Sequence, residues 1–276
     1  MIEREQKEAI RTKAHSAWSL YEELIEGIPE GICVKDYALG LNWSCVCAES
    51  GTGVSYTLTG GKKRKEFMDF RGRELREMAQ LARSWNMQEA TLGIAALNAY
   101  YAQDAQIEAA GFRDISSEAA ERGLSGRKVD AFDFYQSDIE KAGSVLDQGR
   151  AKVVVIGHFP HVEDIAEYAD LVVLERNCKN ESDTPDPACE YVVPEADFVF
   201  MTGVTLINKT APRLLELSEQ ARTIMVGPSV VPSNALFDRG VETLATRVVT
   251  DEETCMFCIK TGRGFGTALR TVNLVR

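Results

Sequence analysis

The residues best suited to chemistry lie just beyond short apolar strings in the second half of the chain. Gly157-His158-Phe159-Pro160 follows Lys152 to Ile156, and Glu175-Arg176-Asn177 follows Asp170 to Leu174. Thr202-Gly203-Val204-Thr205 follows Ala196 to Met201, and Gly227-Pro228-Ser229 follows Thr223 to Val226. If the strings are strands of an open α/β sheet, a ligand lies beyond their carboxyl ends, and these residues converge on one crevice. Glycines there let the backbone approach a ligand closely, although a glycine also simply ends a strand. His158 and Glu175 are the acid–base candidates. Thr205 and Asn208 are candidate donors to an anionic group, in a segment ending at Thr210, an expected N-cap before Ala211-Pro212.

Glu175 lies 18 residues after Gly157, near the spacing at which dinucleotide-binding domains place an acid on a ribose diol. Gly157-His158-Phe159-Pro160-His161-Val162 lacks the later glycines of that fingerprint, which disfavours NAD. A nucleoside-like ligand without a pyrophosphate, such as S-adenosylmethionine, stays compatible. Cys178, Cys189, His158 and His161 have the chemistry to ligate a thiophilic metal, though not the spacing of a known finger or cluster. Cys255-Met256-Phe257-Cys258 has C-x-x-C spacing but no second pair, and its apolar centre reads as a buried strand edge. Cys45 and Cys47 alternate onto one face of a strand.

The elements that must position these residues form two sets. The first half reads as an amphipathic helix from Glu3 to about Ile25, a small antiparallel meander of three strands, then helices over Arg73 to Arg83 and Met87 to about Tyr101. The second half alternates β-branched strings with helical stretches, the pattern of a mostly parallel sheet buried on both faces. A crossover helix is expected over His161 to Tyr168, and separate short strands over Val241 to Leu244 and Thr246 to Val249. Residues 108–130 lose periodicity and read as a linker, which divides the chain into domains 1–107 and 131–276. The fold class is thus α/β: an α+β domain followed by a doubly wound one.

Composition excludes several function classes. The 276 residues carry a net charge of −11, of which −3 falls before residue 110 and −8 after it. Such an excess disfavours nucleic acid. The one dense basic run, Lys62-Lys63-Arg64-Lys65, reads as a solvated loop tip. The apolar strings are far too short to cross a bilayer, and the charged start lacks a signal core, so a cytoplasmic protein is expected. An odd cysteine count, seven, fits reduced thiols. Any anionic ligand would then be held by backbone amides and hydroxyls at strand and helix ends.

Particular motifs also resemble a known family. Val153-Val154-Val155-Ile156-Gly157-His158-Phe159-Pro160, Leu174-Glu175-Arg176, Thr202-Gly203-Val204-Thr205-Leu206-Ile207-Asn208-Lys209-Thr210 and Val226-Gly227-Pro228 resemble the C-terminal domain of the putative heavy-metal chelation family. Gly40-Leu41-Asn42-Trp43 and Leu92-Gly93-Ile94-Ala95-Ala96-Leu97-Asn98-Ala99 resemble its N-terminal partner. The resemblance implies an enolase-N-terminal-like domain before a Rossmann-like domain, with a small-molecule site between them. It implies a role in heavy-metal chelation through a pterin-, flavin- or siderophore-like molecule. Asn98 becomes either an interdomain hydrogen bond or the first domain's contribution to the site.

The leading expectation is therefore an enzyme condensing or hydrolysing a small chelator-like molecule. His158 and Glu175 would be catalytic, and Asn98, Gly157, Thr202, Gly203, Thr205, Asn208, Gly227 and Pro228 would bind the ligand. The alternatives are a non-catalytic binder of a metal or metal chelate, and an S-adenosylmethionine-dependent methyltransferase. The expected cofactor is a heavy-metal ion or a nucleoside-like molecule. The expected partners are a small molecule and, in a homo-oligomer, further copies of the chain, with neither nucleic acid nor membrane.

Overall fold

The computed structural model describes residues 17–63, 68–119, 124, 131–145 and 149–276. The early part of the expected N-terminal helix, half of the basic run and ten residues of the expected linker lie outside the described residues. Helix α1 (Ser19–Glu26) turns Leu20, Tyr21, Leu24 and Ile25 into the core, the two-plus-two pattern of a one-faced helix. Three strands follow, β1 (Val34–Leu39), β2 (Trp43–Ala48) and β3 (Thr52–Tyr56), as an antiparallel sheet in that order.

A short helix α2 (Leu75–Ala79) precedes α3 (Met87–Tyr101), which closes over the meander. The Asn86 side chain caps α3 by accepting from the Glu89 amide at 3.0 Å, a contact worth about 1 kcal/mol. From Ala90 to Ala99 every residue of α3 is buried, and small residues stand where neighbouring backbone comes closest. A Cβ on Gly93 would overlap the backbone of Ala82 and lie 2.5 Å from the Leu81 carbonyl carbon. One on Gly53 would overlap Ala99 and Ala95 of α3. The alanine- and glycine-rich composition is thus what lets β3 and the turn before α3 touch the helix.

Helix α4 (Asp104–Ala109) leads to β4 (Arg113–Asp114), which already pairs with the last strand of the chain. A strand of the second sheet therefore lies inside the stretch read as linker. After α5 (Ala131–Val145) come β5 (Lys152–Ile156), β6 (Asp170–Glu175), β7 (Asp183–Pro185), α6 (Cys189–Val192), β8 (Phe198–Thr202), α7 (Val204–Asn208) and α8 (Ala211–Leu217). The chain ends with β9 (Arg222–Val226), α9 (Asn234–Phe237), β10 (Val241–Val249), α10 (Glu252–Thr261) and β11 (Leu269–Val275). The sheet has eight strands in the order β4-β11-β10-β9-β8-β5-β6-β7, parallel from β10 to β7 and antiparallel at β11 and β4.

Alternate residues of its central strands enter different cores. Val154, Ile156, Val199 and Met201 join the large core shared with the first domain, whereas Val153, Val155, Phe198 and Phe200 join a second core on the opposite face. This two-sided burial is why the strands read as unbroken apolar strings.

Four expectations need correction. The crossover over His161 to Tyr168 is a six-residue 3-10 helix, Val162–Glu167, rather than an α-helix. The segments Val241 to Leu244 and Thr246 to Val249 are one nine-residue strand, because β10 pairs with β9 along its first half and with β11 along its second. Cys255 and Cys258 sit in α10, not on a strand edge; the i,i+3 spacing buries both on one helix face. Thr210 precedes α8 as expected, but its hydroxyl donates to Asn208 Oδ1 at 2.6 Å instead of capping the helix.

Candidate functional site

The chain runs outward from β5 to β6 and β7, then returns to place β8 on the other side of β5. That reversal opens a crevice at the carboxyl ends of β5 and β8. A cleft of about 1750 Å³ begins there and continues to the first domain. Gly157, His158, Glu175, Thr202, Gly203, Thr205, Asn208, Gly227 and Pro228 all line it. Gly157 has φ 97° and Gly227 φ 111°, backbone that other residues adopt only with strain. A Cβ on Gly157 would also sit 2.8 Å from Thr202 Cγ2.

The glycine amides are already engaged. Gly157 N donates to Leu174 O, Gly203 N to Val226 O and Gly227 N to Ala245 O, each at 2.9 Å, so every strand end is stitched to its neighbour. The buried Thr205 hydroxyl donates back to Thr202 O at 2.7 Å. Asn208 Oδ1 accepts from the amide and hydroxyl of Thr210. Its Nδ2 has no protein partner among the described residues.

Glu175 and His158 form a connected pair of loops. The Glu175 carboxylate accepts from the amides of His158 (3.2 Å) and Asn177 (3.1 Å), tying the end of β6 to the end of β5. The His158 ring lies between two carboxylates, with Nδ1 3.3 Å from Asp183 Oδ1 and Nε2 3.3 Å from Glu163 Oε1. Asn180 Nδ2 also lies 3.3 Å from Nε2. The amides of Asn180 and Lys179 hold the Asp183 carboxyl below the usual carboxylate range. An Asp–His contact with a second carboxylate on the other nitrogen can orient an imidazole and move a proton across it.

Asn98 is only 1% exposed and lies away from the cleft lining. Its Nδ2 donates to Val54 O at 3.0 Å and Pro228 O at 3.1 Å, joining β3 to the loop after β9. Ser229 strengthens the same seam, its hydroxyl accepting from the Tyr56 amide at 2.8 Å. Tyr21 Oη donates to Leu206 O at 2.8 Å across the two halves.

Several cleft residues were not singled out from the sequence. Trp43, Tyr56 and Phe265 form an aromatic wall, with Trp43 centred 5.5 Å from Tyr56 and 5.6 Å from Phe265. The signal for Trp43 was its place in Gly40-Leu41-Asn42-Trp43. Lys209 is held in left-handed backbone, φ 67°, with Nζ donating to the carbonyls of Ser84 and Ile207 and lying over Trp85. Burial pulls its ammonium down to about 8. Arg247 and Asn273 line the far side of the cleft.

The metal-ligating candidates do not assemble. His158 has both ring nitrogens facing carboxylates on opposite sides, so Asp183 and Glu163 cannot meet on one ion with it. His161 is exposed, Cys178 is exposed with its thiol directed at Glu175 O, and burial pushes the Cys189 thiol up. Among the described residues no three His, Cys, Asp or Glu side chains come together to hold a metal ion. The described residues do not fit a resident heavy-metal centre. No helix among the described residues is long and apolar enough to cross a membrane.

Comparison with known proteins agrees with this two-part construction. The chain is similar to an uncharacterized protein of Methanocaldococcus jannaschii, 28% identical over 246 residues that cover 84% of each chain. It is similar to a crystallised protein with unknown function from the DUF364 family of Desulfitobacterium hafniense, at 29% identity and a TM-score of 0.81, covering 94% of this chain and 99% of that one. A second crystallised protein of that family, from Pyrococcus horikoshii, shares the fold at 22% identity and a TM-score of 0.72, over 93% and 98% of the two chains. Residues 21–101 and residues 143–275 match two family models that carry the same description, "Putative heavy-metal chelation". The meander half and the parallel-sheet half that close the cleft thus each match a family model described as putative heavy-metal chelation, and together the two matches span most of the chain.

Proposed function

We propose that the interdomain cleft binds a small planar molecule of the pterin, flavin or siderophore kind, and that any link to heavy metals runs through that molecule. The observation that carries this reading is the aromatic wall of Trp43, Tyr56 and Phe265 in the same cleft as the glycine strand ends at Gly157, Gly203 and Gly227. A ring stacks on such a wall, while Gly227, where a side chain would meet nothing within 4 Å, leaves backbone open to the opposite rim. The poor fit to a resident metal favours a chelator, or a chelate that brings its own ligands, over an ion held by the protein alone. In this reading the two modules are an enolase-N-terminal-like and a Rossmann-like domain.

If the bound molecule is turned over by condensation or hydrolysis, His158 is the proton carrier. Asp183 and Glu163 orient its ring, and Glu175 keeps its loop in place through the His158 amide. Loss of turnover in His158→Ala with retained binding supports that role, and full activity in both His158→Ala and Glu175→Ala removes it.

Native mass spectrometry of the protein purified from its own host, followed by titration with pterins, flavins and catecholates, tests the binding reading. A carried-through organic mass, or a rise in melting temperature that Trp43→Leu abolishes, is the expected result. A bare chain that responds to none of these compounds rejects it.

A further inference from the structure

Arg247 stands apart from the other arginines of this acidic chain. Each of the other described arginines has a carboxylate partner or, for Arg263, an aromatic ring. Half-buried Arg247 lines the cleft from β10, and its side chain makes no hydrogen bond, ion pair or ring contact among the described residues. An unpaired, partly desolvated guanidinium is costly, since its five fixed donors are built for a planar or tetrahedral oxyanion.

The neighbouring strand supplies a second, independent feature. Arg247 pairs with Thr271 and Ala245 with Asn273 in the β10–β11 register, which puts Arg247, Thr271 and Asn273 on one sheet face. All three line the cleft. Asn273 is 1% exposed, and its Oδ1 has no hydrogen-bond partner among the described residues. A buried amide oxygen left without a donor is rare, and here it shares the cleft with an unpaired cation. Lys209 repeats the charge pattern elsewhere in the cleft, an ammonium held by two carbonyls and the Trp85 ring with no carboxylate among the described residues.

We infer that Arg247, with Asn273 beside it, forms an oxyanion subsite that reads a carboxylate or phosphate group of the cleft's ligand. The guanidinium binds two oxygens of that group, and Asn273 Oδ1 accepts a hydrogen bond from a hydroxyl or N–H next to it. This inference rests on the ring-binding reading for the rest of the ligand. It also relocates anion recognition, because the amides of Gly157, Gly203 and Gly227 and the hydroxyl of Thr205 are already bonded within the protein.

The test uses pterin, pterin-6-carboxylate and inorganic phosphate on the full chain and on Arg247→Gln, followed by tryptophan fluorescence and thermal shift. The carboxylate probe is expected to bind the unaltered protein at least about tenfold more tightly than pterin, the size of one charged hydrogen-bonded contact. Salt should shrink that advantage, and Arg247→Gln should remove it while leaving pterin affinity unchanged. Arg247→Lys keeps the charge without the fork and should recover only part of it. Competition by phosphate marks a general oxyanion site; its absence marks one selective for carboxylate.

Equal binding of the two pterins, or an advantage that survives Arg247→Gln, overturns the inference. If neither pterin binds but phosphate stabilises the protein and Arg247→Gln abolishes the effect, the subsite stands and the ring reading fails for pterins. No response to any of the three probes overturns the subsite. Unchanged circular dichroism of Arg247→Gln separates lost recognition from lost folding.

Discussion

Replacing Asn98 by alanine tests how the two halves are joined. Nδ2 of this buried side chain serves two carbonyls, Val54 O at 3.0 Å and Pro228 O at 3.1 Å, one from each half of the molecule. Removing it leaves both oxygens short of a donor, at about 1–3 kcal/mol each. The same change deletes the unpartnered Oδ1, whose burial already costs something comparable to one of those losses. The net expectation is a destabilisation of about 2 kcal/mol, or roughly 3–4 °C in melting temperature for a chain this size.

Urea titration followed by circular dichroism and tryptophan fluorescence reads the loss. Asn98→Asp should cost more than alanine, because a carboxylate would then face two carbonyl oxygens. Ser229→Ala removes the neighbouring bond to the Tyr56 amide. Combined with Asn98→Ala it should give a coupling above about 0.5 kcal/mol, since both act on the loop after β9. A loss below about 0.5 kcal/mol for Asn98→Ala would refute the two-carbonyl clamp.

Other substitutions probe separate features. Tyr21→Phe should cost about 1 kcal/mol by losing the bond to Leu206 O, measured by the same urea titration; an unchanged midpoint counts against that contact. Gly93→Ala should cost at least about 1–3 kcal/mol by forcing α3 from the Ala82 backbone, and wild-type stability would contradict that close packing. Lys209 carries a pH signature: its folded pKa of about 8 lies below its ordinary 10.5, so between these values the unfolded chain binds the extra proton and stability rises with pH. With a discount for partial solvent screening, the stability of wild type relative to Lys209→Met should rise by on the order of 1 kcal/mol from pH 7.5 to 9.5. A flat difference would refute burial as the cause.

Much of the architecture was legible because apolar patterning reports burial directly. The unbroken strings at Val153 to Ile156 and Phe198 to Met201 read as strands covered on both faces, and the periodicity of Met87 to Tyr101 read as a helix. Cys255 and Cys258 were misplaced because C-x-x-C with an apolar centre suits a helix face as well as a strand. The Asp251 side chain, which accepts from the Thr254 amide to start α10, was the local signal that separates them.

The candidate site was legible as a set of strand ends, since chain order names the residues that follow each strand. The sequence alone thus determined two α/β modules, the glycine strand ends, and the likeness of both halves to one family. Which donors remain open for a ligand was decided by tertiary structure. Hydrogen bonding between adjacent strands engages the amides of Gly157, Gly203 and Gly227, and among the described residues folding leaves the Arg247 side chain without a carboxylate despite an excess of acids elsewhere. Whether a group is free depends on what lies across from it in space, and Arg247 meets Thr271 and Asn273 only because β11 returns antiparallel along β10.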